Sequence, residues 1–541
     1  MWLRKVQGRG IPVRSLVCRV EEYNYSNRRD IIGKSPWKYY KPLGQVRNGE
    51  AYLVRIPGFR KAFEHESFSG HLDKRYPHSY ALEGRISSIR KSGKGMYFID
   101  LYQDSNRVQV MANNSLMGMS KEEFGVKHEF LRKGDYINCV GYPSRTKVGE
   151  LTLKLNRAIQ VVSPCLNLTS LPEKLEDHKL IKHNRVLNYI VNEKLRQQII
   201  VRSLIIQCIR QFLSEKGFLE VQTPMLGGVS TGANAEAFRT VLNALSSSTS
   251  DLMTHLYLRV APEIWLKKLV VGGFEKVFEI GQNFRNEGID RTHNPEFTTC
   301  EFYQSFTTLD ELMRLTESLL ASIFLLLESK NIPLLKERLE SLQALTRGQF
   351  PRYEFIPTLE ARSGLKLPQN LTSDTLIDYH KALKVELPCS KSPASLLDNL
   401  ALIFLESISE DTDDPIFIYN HPAVMSPLAK SCAVVLDDRI YDVSLRFELF
   451  IKGKEYVNAY EEENSPFSQG AKFEQQREAM FKYNDKEMLV PDWEYVRLME
   501  YGLPPTGGWG CGIDRLCMLF SGSDRIEDVL SFGNVRDVLK Q

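Results

Sequence analysis

The chain has 541 residues and 62.1 kDa, with 43% hydrophobic and 25% charged residues, ordinary values for a globular protein. It contains no run of about 18 apolar residues, which excludes a membrane-spanning helix. Its nine cysteines include no CxxC pair, which argues against a disulfide framework and a zinc ribbon. Charge is uneven: residues 1–48 carry eleven Lys/Arg against three Asp/Glu, and the remainder carries 59 against 64. Any nucleic-acid contact by the body must therefore use a local basic face.

The first twenty residues hold Arg4, Lys5, Arg9, Arg14 and Arg19, with no acidic residue before Glu21. An Arg-rich, acid-poor start without an apolar core suits a mitochondrial transit peptide over 1–30; a basic tail that touches RNA is the plainer reading. Residues 31–78 lack clear periodicity and read as a linker or appendage. Five strand-like runs follow: Tyr80–Ile89, Tyr97–Leu101, Val108–Met111, Tyr136–Pro143 and Glu150–Lys154, with a helical stretch Met119–Leu131 between the third and fourth. That is the order of an OB barrel, expected over 79–165, whose open face binds oligonucleotides. Arg85, Phe98 and Gln109 suit such a face, as a ring for stacking and polar groups for base edges. Phe98 taken alone is more often a core residue.

Leu166–His183 reads as a polar connector. Ile199–Lys216 has helical spacing and stops at Gly217, and Leu309–Lys330 is a second amphipathic helix. Pro333–Lys391 reads as mixed and irregular, part of a helical insertion near 330–395. Ser392-Pro393 forms an N-cap and first-turn pair opening a helix through Ile408. Strands are expected at Ile416–Tyr419, Ala433–Leu436 and Tyr441–Ile451.

Three segments carry the chemistry. The first, Gly217–Leu226, follows the long helix and includes Pro224. The second, Val277–Tyr303, reads as strand, polar loop, strand, with Arg285 at the loop mouth, where a guanidinium suits a phosphate. The third, Gly502–Leu516, clusters glycines before an apolar helix, which lets backbone approach something closely. Its spacing is not GxGxxG, so the dinucleotide fingerprint fails.

In that order the segments resemble motifs 1, 2 and 3 of class II aminoacyl-tRNA synthetases. More narrowly, LRVAPE (258–263), THNPEFTTCEFY (292–303) and GLPPTGGWGCGIDR (502–515) look like lysyl-tRNA synthetases, and with the basic leader most like the mitochondrial ones. The resemblance implies an α+β fold: the OB anticodon domain, then a catalytic domain over 166–541 built on an antiparallel sheet flanked by helices. It implies activation of L-lysine with ATP to lysyl-adenylate and transfer to tRNA(Lys). It also implies a homodimer with Pro224 at its interface, and mitochondrial translation in the matrix, otherwise cytoplasmic.

By the same resemblance Arg285 neutralises the α-phosphate, Glu287 accepts from the adenine amino group, Phe297 stacks on adenine and Arg515 covers its other face. His293 stands where the family contacts phosphate, although Thr292 replaces an Arg common in bacterial relatives. Glu448 and Glu455 match Mg²⁺ ligands. Glu301, Tyr303 and Glu462 match the grip on the lysine ε-ammonium, Glu263 and Gly232 lie near the α-amino group, and Asn458 and Tyr460 complete the pocket. Arg85, Phe98 and Gln109 fall to the anticodon.

Spacing supplies an independent check. A two-residue turn at Lys452-Gly453 pairs Phe450 with Glu455 and sets Glu448 diagonally on the same face, about 7–8 Å away. Strict alternation then puts Asn458, Tyr460 and Glu462 on the opposite face, so a bulge is expected between Glu455 and Asn458. An aspartyl or asparaginyl relative is the nearest rival, and a noncatalytic synthetase-like RNA-binding protein the more distant one. Glu301 with Glu462 argue against the first, and the full set Arg285, Glu287, Glu448, Glu455 and Arg515 against the second.

Overall fold

A computed structural model describes residues 27–47, 49, 51–66, 68, 78–167, 184–228, 232, 235–242, 255–412, 414–483 and 491–533. The leader up to residue 26 and most of the connector Leu166–His183 lie outside them. The chain divides into two compact units, residues 1–174 and 175–541.

In the first unit, strands Tyr80–Lys91, Met96–Gln103, Asn106–Asn113, Leu151–Leu155 and Tyr136–Arg145 pair in that order. The last pairs back onto the first, closing an OB barrel. Alternation sends Ile99, Leu101, Val108 and Val110 inward, all at most 3% exposed. Helix Lys121–His128 opens on a capping box, in which Ser120 accepts from the Glu123 amide and Glu123 from the Ser120 amide.

The stretch without visible periodicity is part of this unit. Tyr52–Leu53 adds a short parallel strand to Tyr80–Ala81. Helix Ile56–Phe63 buries Ile56, Phe59 and Phe63 in the barrel's core. A two-turn helix offers only one repeat of its period, too short to stand out. The expected leader boundary at residue 30 falls inside a helix over 27–34. From that helix, Arg28 reaches both oxygens of Asp135 at 2.9 Å, and both side chains are buried. A cut at residue 30 would strip a fully buried carboxylate of its cation, so the folded unit begins before that boundary.

The second unit is built on an eight-stranded sheet in the order Arg352–Glu354, Ile416–Tyr419, Arg446–Ile451, Lys454–Glu461, Thr506–Gly512, Glu296–Ser305, Lys276–Phe284, Leu219–Glu220. It is antiparallel except for a parallel pair at each edge. Helices Glu193–Glu215, Leu309–Ser329 and Ile513–Ser521 bury Ile205, Ile209, Leu320, Ile323, Leu516 and Phe520 in one apolar cluster with the sheet. Phe302 stacks on Trp509 at 4.8 Å within it.

Two expectations need correction here. Within the helical insertion expected near 330–395, Pro333–Lys391 is more regular than its sequence suggests: it holds helices Phe355–Ser363 and Ser373–Leu383, which with Pro393–Ala401 build a separate core around Leu359, Leu376 and Leu397. The run Tyr441–Ile451 is two strands. Arg439–Ser444 pairs with Ser431–Leu436 in a small ribbon, and the chain changes sheets at Leu445, whose amide donates to Lys430.

Arg28→Met should destabilise the barrel unit by about 3–5 kcal/mol at neutral pH, the cost of leaving a buried charge unmatched. The deficit should shrink as Asp135 takes up a proton in acid. Urea unfolding at pH 7 and pH 4 measures both.

Candidate active site

The central strand Thr506–Gly512 lays three glycines on one face, and the register puts larger side chains beside each. Gly508 lies between Tyr303 and Tyr460, Gly510 between Glu301 and Asn458, and Gly512 beside Thr299. The result is a trough running across three strands. It opens into a cavity of about 450 Å³ lined by Arg285, Glu301, Tyr303, Glu455, Tyr460 and Arg515 among others. At Gly508 a side chain is excluded by contact: a Cβ would run into the Glu462 carboxylate and stand 2.7 Å from the Tyr303 ring.

The neighbouring hairpin brings both expected sets onto this face. Lys452 and Gly453 turn with φ of 51° and 71°, the left-handed pair a tight two-residue hairpin needs. Phe450 pairs with Glu455, but Leu449 pairs with Val457, leaving Tyr456 as an extra residue. This bulge shifts the alternation by one. Glu455 therefore shares its face with Asn458 and Tyr460, as the spacing required.

At one end of the cavity the groups are cationic. Arg285 lies 5.0 Å from the centre of the Phe297 ring, with its buried Nε unpartnered. Burial pushes this guanidinium down, against the pull of Glu287, Glu301 and Glu455. Arg515 donates to the Glu455 carbonyl at 3.2 Å and contacts His293 Nε2 at 2.8 Å, while Asp290 holds His293 Nδ1 at 2.8 Å. Glu287 also lines this end. Asp514, buried beneath, pairs with Arg202 and accepts from the Thr298 amide at 2.8 Å. It thereby locks the long helix, the second segment and the third together.

The other end is acidic. Glu301 is 8% exposed and receives only 3.4 Å contacts from the Thr299 and Tyr303 hydroxyls. Burial first, and Glu263 second, push it up to about 8. Glu263 accepts from Lys267 at 2.6 Å and from the Tyr460 hydroxyl. Gly232, at φ 100°, would place a Cβ 3.3 Å from that of Glu263. Glu462 lies behind the cavity wall, ion-paired with Lys267. Its burial pushes it up, with Lys267 opposing.

Between these ends stand Glu448 and Glu455. Burial raises Glu448, but Arg446 and His421 (His421 Nε2 at 3.1 Å) outweigh it and hold it at about 2. Glu455 is pushed up to about 7 by burial and by Glu448. Two hard carboxylates side by side suit Mg²⁺, which takes one or two carboxylates and fills its shell from phosphate and water.

Arg446, Lys267 and Asp514 were not anticipated. Lys267 was within reach of the sequence, being four residues after Glu263 on one helix face. Arg446 likewise stands two before Glu448 on one strand face, and donates to Asn458 at 3.0 Å. In the first unit, the register sets Arg85, Phe98 and Gln109 on the barrel's outer face. Arg85 lies 5.6 Å from the Tyr136 ring, and Phe98 is half-buried. Gln109 is not open: it is 4% exposed, donating to Glu150 and accepting from Thr152. Pro224 lies between the exposed Leu219 and the exposed Met225 and Leu226.

Comparison with known families matches residues 177–536 to class II tRNA synthetases (D, K and N), and residues 80–161 to the OB-fold nucleic acid binding domain. Among curated proteins, the chain is 41% identical over 492 residues to the mitochondrial lysine–tRNA ligase of Saccharomyces cerevisiae, covering 85% of this chain and 82% of that one. It is 40% identical to the mitochondrial lysine–tRNA ligase of Schizosaccharomyces pombe (85% and 84% covered) and 38% identical to the lysine–tRNA ligase of Helicobacter hepaticus (84% and 82%).

Glu301 binds its proton more tightly folded than unfolded. It therefore adds stability that is complete in acid and is lost as pH rises from the ordinary carboxylate range through about 8. The melting temperature of the unliganded protein should carry this loss between pH 5 and 8, and Glu301→Gln should remove it. Scanning calorimetry of both proteins across that range decides; equal slopes would contradict the assignment.

Proposed function

The chain belongs to the class II tRNA synthetases, among the lysine–tRNA ligases, and from that premise we propose that its cavity activates L-lysine with ATP and passes the lysyl group to tRNA(Lys). The observation that carries this reading is one cavity with buried carboxylates at one end and two guanidinium groups at the other. An aspartate-reading site would need basic or amide groups where Glu263 and Glu301 stand.

Attack of the lysine carboxylate on the α-phosphate brings two anions together, so positioning and charge neutralisation carry the catalysis. Arg285 meets the α-phosphate and the approaching carboxylate. Phe297 and Arg515 take the adenine faces, Glu287 its amino group, and His293, steadied by Asp290, the outer phosphates. Glu448 and Glu455 would hold Mg²⁺, which supplies further neutralisation of phosphate charge when bound. The two tyrosines flanking Gly508 offer apolar walls for four methylenes. Glu301, Tyr303 and Glu462 receive the ε-ammonium; Glu263 with the Gly232 backbone takes the α-ammonium, and Asn458 the carboxylate side.

On the barrel, Phe98 and Arg85 are the groups offered to anticodon bases, with Gln109 holding Glu150 beside them. The exposed Leu219, Met225 and Leu226 around Pro224 support a homodimer interface. The basic leader, together with the mitochondrial relatives, supports work in the mitochondrial matrix, with residues 1–26 as the targeting segment.

ATP–pyrophosphate exchange should proceed with lysine and not with aspartate or asparagine. Arg285→Ala should lower kcat by about 10²–10³-fold. Exchange driven by aspartate would reject the pocket, and no exchange with any amino acid would favour an RNA-binding protein without catalysis. Deleting residues 1–26, which leaves Arg28 in place, should abolish organellar import of a fluorescent fusion; unchanged import refutes the leader reading.

A further inference from the structure

Lys267 is 0% exposed, which for an ammonium requires compensation at close range. It sits on helix Glu263–Val271, with Nζ 2.6 Å from Glu263 and ion-paired to Glu462. The groups facing it come from every element around it: Glu263 on its own helix, Glu462 and Tyr460 from the bulged strand and its end, Tyr303 and Glu301 from the second segment, and Tyr495 from helix Trp493–Met499. Its Nζ stands 5.4 Å and 5.9 Å from the Tyr460 and Tyr303 ring centres. The cluster therefore holds three buried carboxylates and a single internal ammonium. Glu462 is the decisive member: its carboxylate lies where a Cβ on Gly508 would stand, beside the Tyr303 ring, and its only charged partner in the described residues is Lys267.

We propose that Lys267 is a specificity-setting positioning residue. Its ammonium opposes protonation of Glu462 and leaves three buried carboxyl groups with one cation among them, a deficit that a diamino acid meets with its α- and ε-ammonium groups. Without that internal charge, a buried carboxylate satisfies itself with a proton, and a dicationic ligand can bind only by expelling it. Lys267 thus reduces the number of protons an amine must expel, and Glu301, which burial pushes up to about 8, remains the pocket's own pH-dependent group. The inference rests on the lysine reading of the site and concerns how that selectivity is set.

Exchange kinetics of the full chain between pH 6.5 and 8.5 test it with K267M and K267M/E462Q. In K267M the KM for lysine should rise at least about tenfold at pH 7 and fall about tenfold per pH unit as the proton leaves, while the KM for ATP stays within about twofold. In K267M/E462Q, which leaves Glu462 neutral, the lysine KM should stay raised and keep only the pH dependence that the unmutated chain shows. The double variant carries the test by itself if K267M does not fold. A wild-type lysine KM in either variant, or lysine and ATP KM values rising together in K267M, would overturn the proposal. Absence of lysine-dependent exchange in the unmutated chain would instead reject the lysine reading, and the proposal with it.

Discussion

A carboxylate taken out of water must be answered by a cation at close range or by a proton, and the catalytic unit is arranged around that requirement. Glu279 is answered by Arg259 at 2.6 Å, Asp514 by Arg202, and Glu263 and Glu462 together by Lys267. Apart from the Lys267–Glu263 pair within one helix, each also joins separate elements. Arg259 reaches Thr223 in the first segment and Glu279 in the second. Arg202, on the long helix, grips Asp514 in the third. The ion pairs that make burial tolerable are therefore the same contacts that hold the three segments around one cavity. Glu301 has no ion pair among the described residues, and burial, with Glu263 beside it, pushes it up to about 8.

The second constraint is geometric. A sheet alternates its side chains, so a continuous strand from Glu455 to Glu462 would divide the phosphate-side carboxylate from the pocket residues. One extra residue, Tyr456, removes the conflict. Across the sheet this yields a row running Glu448, Asn458, Gly510, Glu301, Glu279, and a parallel row Arg446, Tyr460, Gly508, Tyr303. One row carries the acids, and the other carries the two rings with Arg446 at its end. A ligand lying across both meets polar groups at its ends and apolar walls along its length.

Much of this was legible in the sequence because it depends on local signals. Period-two alternation marked the barrel strands, and Gly453 marked the hairpin. The need for a bulge followed from counting residues between Glu455 and Asn458. The motif residues themselves were recognised by resemblance, not by spacing. What escaped depends on distance in space or on short elements. Nothing near Arg28 announces Asp135, more than a hundred residues later. The helix Ile56–Phe63 is too short for its apolar positions to repeat. Lys267 is the exception, since its four-residue offset from Glu263 was visible, but an i,i+4 pair reads first as a solvated helix face. Only its burial reverses that reading.

The glycine at 508 joins the two constraints. Its neighbours across the sheet are Tyr303 and Tyr460, and the Glu462 carboxylate, paired with Lys267, lies where its side chain would begin. A side chain there would fill the space between the rings and press on the buried acid at once. The absent Cβ is therefore a backbone choice with an electrostatic consequence: it leaves room beside the Tyr303 ring for a buried carboxylate paired with Lys267. An aliphatic stem fits between the rings, and only a cation at its tip completes the cluster below. A shorter acidic side chain would bring a further negative charge toward Glu301 and Glu462, where like charges in a low-dielectric site repel strongly. Discrimination against aspartate then follows from the same buried charges that position lysine, with no separate device needed.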